Sequence, residues 1–139
     1  MFFFFLLLVL DLQDVVAQGN KLFSVDLLPE EAKDSFETLN MLYSDNLEWS
    51  FEWAEKALDY LKSPDSVKAD LVIRGKQTFP ADDTQLLWQK LLAFLEPRFD
   101  KKEKALKRLP AGTIYGCNGF IERKGNKDVI SAACVYKKP

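Results

Sequence analysis

The stretch YGCNGFIERKGNKDVISAACVY, residues 115–136, carries both cysteines of the chain. It constrains the fold more than any other segment. Two strand-like runs, 113–122 and 128–136, flank RKGNK. A two-residue turn at Gly125-Asn126 suits them, because Gly supplies the positive φ that a primed hairpin turn requires. Residues that then face each other have numbers summing to 251, and Cys117 and Cys134 meet that condition. Counted outward from Lys124 and Lys127, the two cysteines occupy a non-hydrogen-bonded pair, where Cα atoms approach to about 4.5 Å. This separation suits a disulfide, worth roughly 3 kcal/mol in the chain-entropy picture. A cross-hairpin staple implies an oxidising compartment. Two free buried thiols are the alternative.

The same register assigns faces. One carries Tyr115, Cys117, Ile121, Ile130, Ala132, Cys134 and Tyr136; the other carries Ile114, Phe120, Val129, Ala133 and Val135. Both are largely apolar, and a sheet covered on both sides takes helices above and below it. The expected fold class is therefore α/β, a single-domain α-β-α sandwich closed by a C-terminal disulfide-stapled hairpin.

The opening residues read as a leader. MFFFFLLLVL gives a nine-residue apolar run from Phe2 to Leu10, and Val15 and Ala17 sit at the −3 and −1 positions of a signal-peptidase site. The run is too short to span a bilayer, which takes about 20 helical residues. Residues 1–17 are expected to be a signal peptide and 18–139 the mature domain, secreted and extracellular with no membrane span. Removing Asp11 and Asp14 with the leader lowers the acidic count from 21 to 19, equal to the 19 basic residues. A neutral protein offers no charge argument for nucleic acid. No Asn-x-Ser/Thr sequon occurs.

Between leader and hairpin the pattern is helical. A first helix follows Pro29, with Ala32, Phe36, Leu39 and Tyr43 along one stripe. A second is capped by Ser50, with Trp53, Ala54, Ala57 and Leu61 on one face, and ends at Ser63-Pro64. Residues 69–74 read as a short strand. A third helix is expected from a cap at Asp82 or Asp83 to the residue before Pro97; its Leu86, Leu87, Trp88, Leu91, Leu92, Phe94 and Leu95 predict deep burial. A short basic helix, DKKEKALKRL, leads to the hairpin.

With these elements in place, LEWSFEWAEKA resembles the first-helix signature of the CAP superfamily: cysteine-rich secretory proteins, venom allergens and plant pathogenesis-related proteins. Leu47, Trp49, Ser50, Trp53, Ala54 and Ala57 occupy the signature's places, Trp88 matches a central-helix Trp, and TIYGCNG and AACVYKKP resemble the closing strands. The resemblance covers residues 36–139 and implies an α-β-α sandwich that binds sterols or other lipids, or protein partners. It also implies a cleft of two histidines and two acidic residues, sometimes holding a divalent metal. This chain has no histidine. Glu103 falls near the place of the second histidine and Leu109 at the aromatic before the Gly-Cys strand; LVIRGKQTF is the nearest stretch to the family's Gly-Glu-Asn segment.

Absence of histidine removes Ser-His, Cys-His and imidazole acid-base catalysis within the chain, and imidazole-based zinc sites. Glu30/Glu31 and Asp82/Asp83 read as helix-start charges favoured by the macrodipole. The expectation is a non-enzymatic, monomeric secreted binding protein of the CAP type, with no cofactor and no metal, taking a lipid, a sterol or an extracellular protein. A second reading is a module that meets anionic lipid or glycan surfaces through Lys101, Lys102, Lys104, Lys107 and Arg108. A third is a carboxylate-dependent hydrolase using Glu103.

Overall fold

The computed structural model describes residues 23–139. The expected signal peptide lies outside the described residues. Strand β1 (Phe23–Leu27) is followed by helix α1 (Ala32–Met41), strand β2 (Leu47–Trp49) and helix α2 (Phe51–Lys62). After a 3-10 turn (Pro64–Ser66) come β3 (Leu71–Pro80), α3 (Leu87–Lys101), α4 (Glu103–Lys107), β4 (Thr113–Lys124) and β5 (Lys127–Lys137).

The hairpin β4–β5 is the centre of the sheet, and its register is the one the cysteine pair implied. Cys117 faces Cys134 and Lys124 faces Lys127. The disulfide is formed, with Cα atoms 4.0 Å apart, and Gly125 at the tip takes a φ of +62°. β3 pairs antiparallel along the whole of β5, from Leu71–Tyr136 to Pro80–Lys127. The outer edge of β4 is shared: β1 runs antiparallel to residues 120–124 and β2 parallel to residues 113–115.

Helices cover the sheet from both sides, so the chain is an α-β-α sandwich. Against Tyr115, Cys117, Ile121, Ile130, Cys134 and Tyr136 pack Phe36 and Leu39 of α1, Leu91, Leu95 and Phe99 of α3, and Leu106 of α4. On the opposite face α2 lays Trp53 and Ala57 on Val135. Gly116 is the contact point. A Cβ there would lie 2.0 Å from the backbone nitrogen of Ala54, so the helix rests directly on the strand.

Ser50 caps α2 as expected, its Oγ accepting from the Trp53 N–H at 3.2 Å. Other boundaries differ. The strand expected at 69–74 extends to Pro80, because β5 supplies a full-length partner to an edge whose residues need not be apolar. α3 begins at Leu87, not at Asp82 or Asp83. The Asp83 carboxylate closes a turn on the Gln85 N–H at 2.7 Å, and the Gln89 side chain accepts from the Leu86 N–H at 2.9 Å. The helix also runs through Pro97. Pro97 and Ala93, the residue whose carbonyl loses its partner, are both exposed, and the continuation buries Phe99 completely. The deep burial predicted for the whole helix holds for Leu91, Phe94 and Leu95 but not for Leu86, its N-cap, or Trp88 on its first turn, which both stand exposed.

Candidate functional site

An aromatic row runs from the core to the surface. Tyr136 stacks on Tyr115 with centroids 5.6 Å apart, Tyr115 meets the edge of Trp49 at 5.3 Å, and Trp49 meets Phe51 at 6.4 Å. At the inner end, Asn40 of α1 is buried beside the disulfide. Its Nδ2 donates to the Phe36 carbonyl at 2.9 Å and lies 3.6 and 3.8 Å from the two cysteine sulfurs, and its Oδ1 accepts from the Tyr136 hydroxyl. Burial pushes the Tyr136 phenol well above its ordinary pKa, more than the Asn40 hydrogen bond lowers it. Burial, then Glu37, raises Tyr115 in the same sense. The Tyr43 phenol is raised by desolvation and by its hydrogen bond to Asp100.

At the outer end the row opens into a cleft of 540 Å³ between the first turn of α1 and the β2–α2 corner. Leu28, Phe36, Trp49, Phe51 and the Cys117 end of the disulfide form its apolar surface, and Glu30, Glu31, Asp34 and Asn118 its polar rim. Asn118 is fixed by donating to the Ala54 carbonyl at 3.2 Å. Lys33 pairs with Glu37 at 3.2 Å and holds its ammonium 5.2 Å from the Trp49 ring and 5.5 Å from that of Phe51. Phe51 is 72% exposed at the mouth. The buried Nε1 of Trp49 has no hydrogen-bond partner, alone among buried side-chain polar atoms of the described residues. An orphan donor of this kind costs about 1–3 kcal/mol. A second groove, of 420 Å³, flanks the other side of the α1 start and is bounded by Leu86, Leu87 and Trp88.

The residues singled out from sequence disperse. Cys117 and Cys134 form the staple. Glu103 opens α4 and pairs with Lys107 at 2.7 Å; it borders neither α1 groove. The basic run is not one surface. Lys101 and Lys102 line a groove of 280 Å³ with Arg74 and Arg98, whereas Lys104, Lys107 and Arg108 border none of these depressions. Among the cleft residues, the sequence pattern singles out Trp49 only as part of a motif and does not single out Phe51, Lys33 or Asn118. The one available signal is an aromatic directly after the Ser50 cap.

Residues 35–138 match the family described as 15 kDa excretory/secretory protein. The chain belongs to that family. It is 31% identical to the 15 kDa excretory/secretory protein of Haemonchus contortus, across 100% of this chain and 99% of that one. It is 30% identical to the 30 kDa antigenic glycoprotein of Trichostrongylus colubriformis, over 82% of this chain and 84% of that protein. No solved structure matches. The protein is secreted and extracellular, as its excretory/secretory relatives are.

The resemblance to the CAP superfamily is thereby corrected: the family that matches is a different one. The fragments that suggested it are local solutions to local problems. Leu47–Trp49 is a strand paired with Thr113–Tyr115, Ser50 is a helix cap, Gly116 makes room for α2, and Trp88 is an exposed side chain at a helix start. The reason for singling out Glu103 as a histidine replacement falls with the resemblance.

Proposed function

We propose that this excretory/secretory protein is a non-enzymatic binding protein that holds a small amphipathic molecule, of the lipid class, in the cleft between α1 and the β2–α2 corner. The observation that carries this reading is the aromatic wall of Trp49 and Phe51 around 540 Å³ of open space. Ligand sites in proteins have this size and composition, about 300–1,000 Å³ of mostly apolar and aromatic lining with a few placed polar groups. The disulfide and the stacked tyrosines behind the wall keep it rigid, which lowers the ordering cost of binding. Lys33 and the rim carboxylates lie where the polar end of such a ligand would sit.

A non-enzymatic role accords with the chemistry at hand. The chain has no histidine, and among the described residues the shifted groups, Tyr43, Tyr115 and Tyr136, move upward, away from use as acids or bases near neutral pH.

Titration with a fluorescent fatty acid tests the proposal. Saturable one-to-one binding is expected, weakened about tenfold by Phe51→Ala, equivalent to about 1.4 kcal/mol. Phe51 is exposed, so the variant keeps the fold. Met41→Ala, also at an exposed apolar position, leaves binding unchanged. Absence of binding, or equal binding by wild type and Phe51→Ala, refutes the cleft as the site.

A further inference from the structure

Among the described residues, the sheet face that carries α2 is covered unevenly. α2 lies over Gly116, Val135, Ile114 and Val72, and its Leu61 reaches the depression beside Phe120 and Ser131. Mid-sheet Val129 and Ser131 are buried, while β1 and the β3 edge at Lys76, Thr78 and Pro80 stand exposed. Register places three rows of side chains on the rest of this face. Leu27, Phe120, Ser131 and Lys76 form the first; Val25, Glu122, Val129 and Thr78 the second; Phe23, Lys124, Lys127 and Pro80 the third. β1 turns its apolar residues, Phe23, Val25 and Leu27, to this side and its polar ones, Ser24 and Asp26, to the side of the core helices. Leu27 is 62% exposed and Val25 53%. An alternating strand normally does the reverse, and a contiguous exposed apolar row marks a surface that something covers.

The charges on this face are mainly positive. Lys76, Lys124 and Lys127 stand against Glu122 alone, and none of the three lysines has a carboxylate within ion-pair distance among the described residues. Beside Lys76 a depression of 450 Å³ is floored by Phe120 and Ser131 and edged by Arg74, Arg98, Glu122 and Leu61 of α2. The pattern is an exposed apolar stripe along β1, with a mainly cationic surround.

The geometry points to a docking face for an anionic lipid bilayer: Val25, Leu27 and Phe23 enter the interface while Lys76, Arg74, Lys124 and Lys127 meet the headgroup phosphates. A second copy of the chain fits less well, because pairing two such faces would bury like charges against each other. A soluble polyanion would satisfy the cations and leave the apolar row in water. This docking is independent of what the cleft holds.

The experiment is co-sedimentation of the secreted protein with vesicles of phosphatidylcholine, alone or mixed with phosphatidylserine at roughly two-to-one. Binding is expected to the phosphatidylserine vesicles and to fall steeply with salt. Lys76→Glu and Lys127→Glu should each weaken it about fivefold or more, since one basic residue near the surface contributes about that factor. The pair Val25→Asp with Leu27→Asp, both exposed, should weaken it more than tenfold with an unchanged melting curve. Phe51→Ala should retain vesicle binding, which separates this face from the cleft. Three results overturn the proposal: no vesicle binding; binding to a soluble sulfated polysaccharide in place of vesicles, insensitive to Leu27→Asp; or a dimer in sedimentation that Leu27→Asp converts to monomer.

Discussion

Asn40 offers the sharpest test of how the core is held. It is 1% exposed, Tyr136 is fully buried, and the two share a hydrogen bond across 96 residues of sequence. Tyr136→Phe removes the hydroxyl and leaves the Asn40 oxygen without a partner, at a cost of about 1–3 kcal/mol. Asn40→Ala strands the hydroxyl at similar cost and adds a small cavity, about 2–4 kcal/mol together. The double variant leaves neither orphan, so its cost should fall short of the sum by about 1–2 kcal/mol. A domain near 120 residues loses roughly 4 °C of melting temperature per kcal/mol, so the shortfall appears as about 4–8 °C in thermal melts followed by circular dichroism. Additivity within about 0.5 kcal/mol would mean the two side chains are energetically independent, and the reasoning would be wrong.

Three further outcomes follow from the same packing. Replacing Cys117 and Cys134 by alanine opens a link between residues 17 apart in sequence and should cost about 3 kcal/mol, or roughly 12 °C, in denaturant or thermal melts; an unchanged midpoint would refute the staple's role. Gly116→Ala drives a Cβ into the α2 backbone at Ala54 and should cost about 3 kcal/mol, whereas Gly125→Asn at the open hairpin tip should cost less than about 1 kcal/mol. Because Tyr136 and Tyr115 have phenol pKa values raised in the folded state, the folded protein binds protons that the unfolded chain has released. Their contribution is intact below about pH 10, the unfolded value, and is lost as pH rises above it. Urea midpoints should therefore be level from about pH 8 to 9 and drop by pH 11; equal midpoints at both ends would contradict the burial argument.

The hairpin was legible because its constraint is arithmetic: a glycine turn and two cysteines fix one register, and that register fixes both faces. The α2 cap was legible because Ser50 acts on a backbone group three residues away. Elements whose reasons lie far off in sequence were not. β3 continues through Lys76, Gln77 and Thr78 because β5 lies alongside. α3 passes Pro97 because Phe99 has a core to enter. β1, an FSVDL run with apolar residues facing outward, carries no sign in its own sequence of which side the helices occupy. Asn40 shares a buried helical stripe with Phe36 and Leu39, but Tyr136 and the disulfide are what make it tolerable there. The cleft was hidden for the same reason: nothing local to Trp49 and Phe51 says that α1 leaves a gap beside them.

The central claim, that the cleft holds an amphipathic ligand, is tested most directly by native mass spectrometry of the protein recovered from eukaryotic secretion. The predicted result is an oxidised chain, two daltons light for its one disulfide, carrying a lipid-sized adduct that organic extraction removes and that Phe51→Ala largely lacks. A bare oxidised chain, still bare after incubation with a lipid extract, would contradict the account.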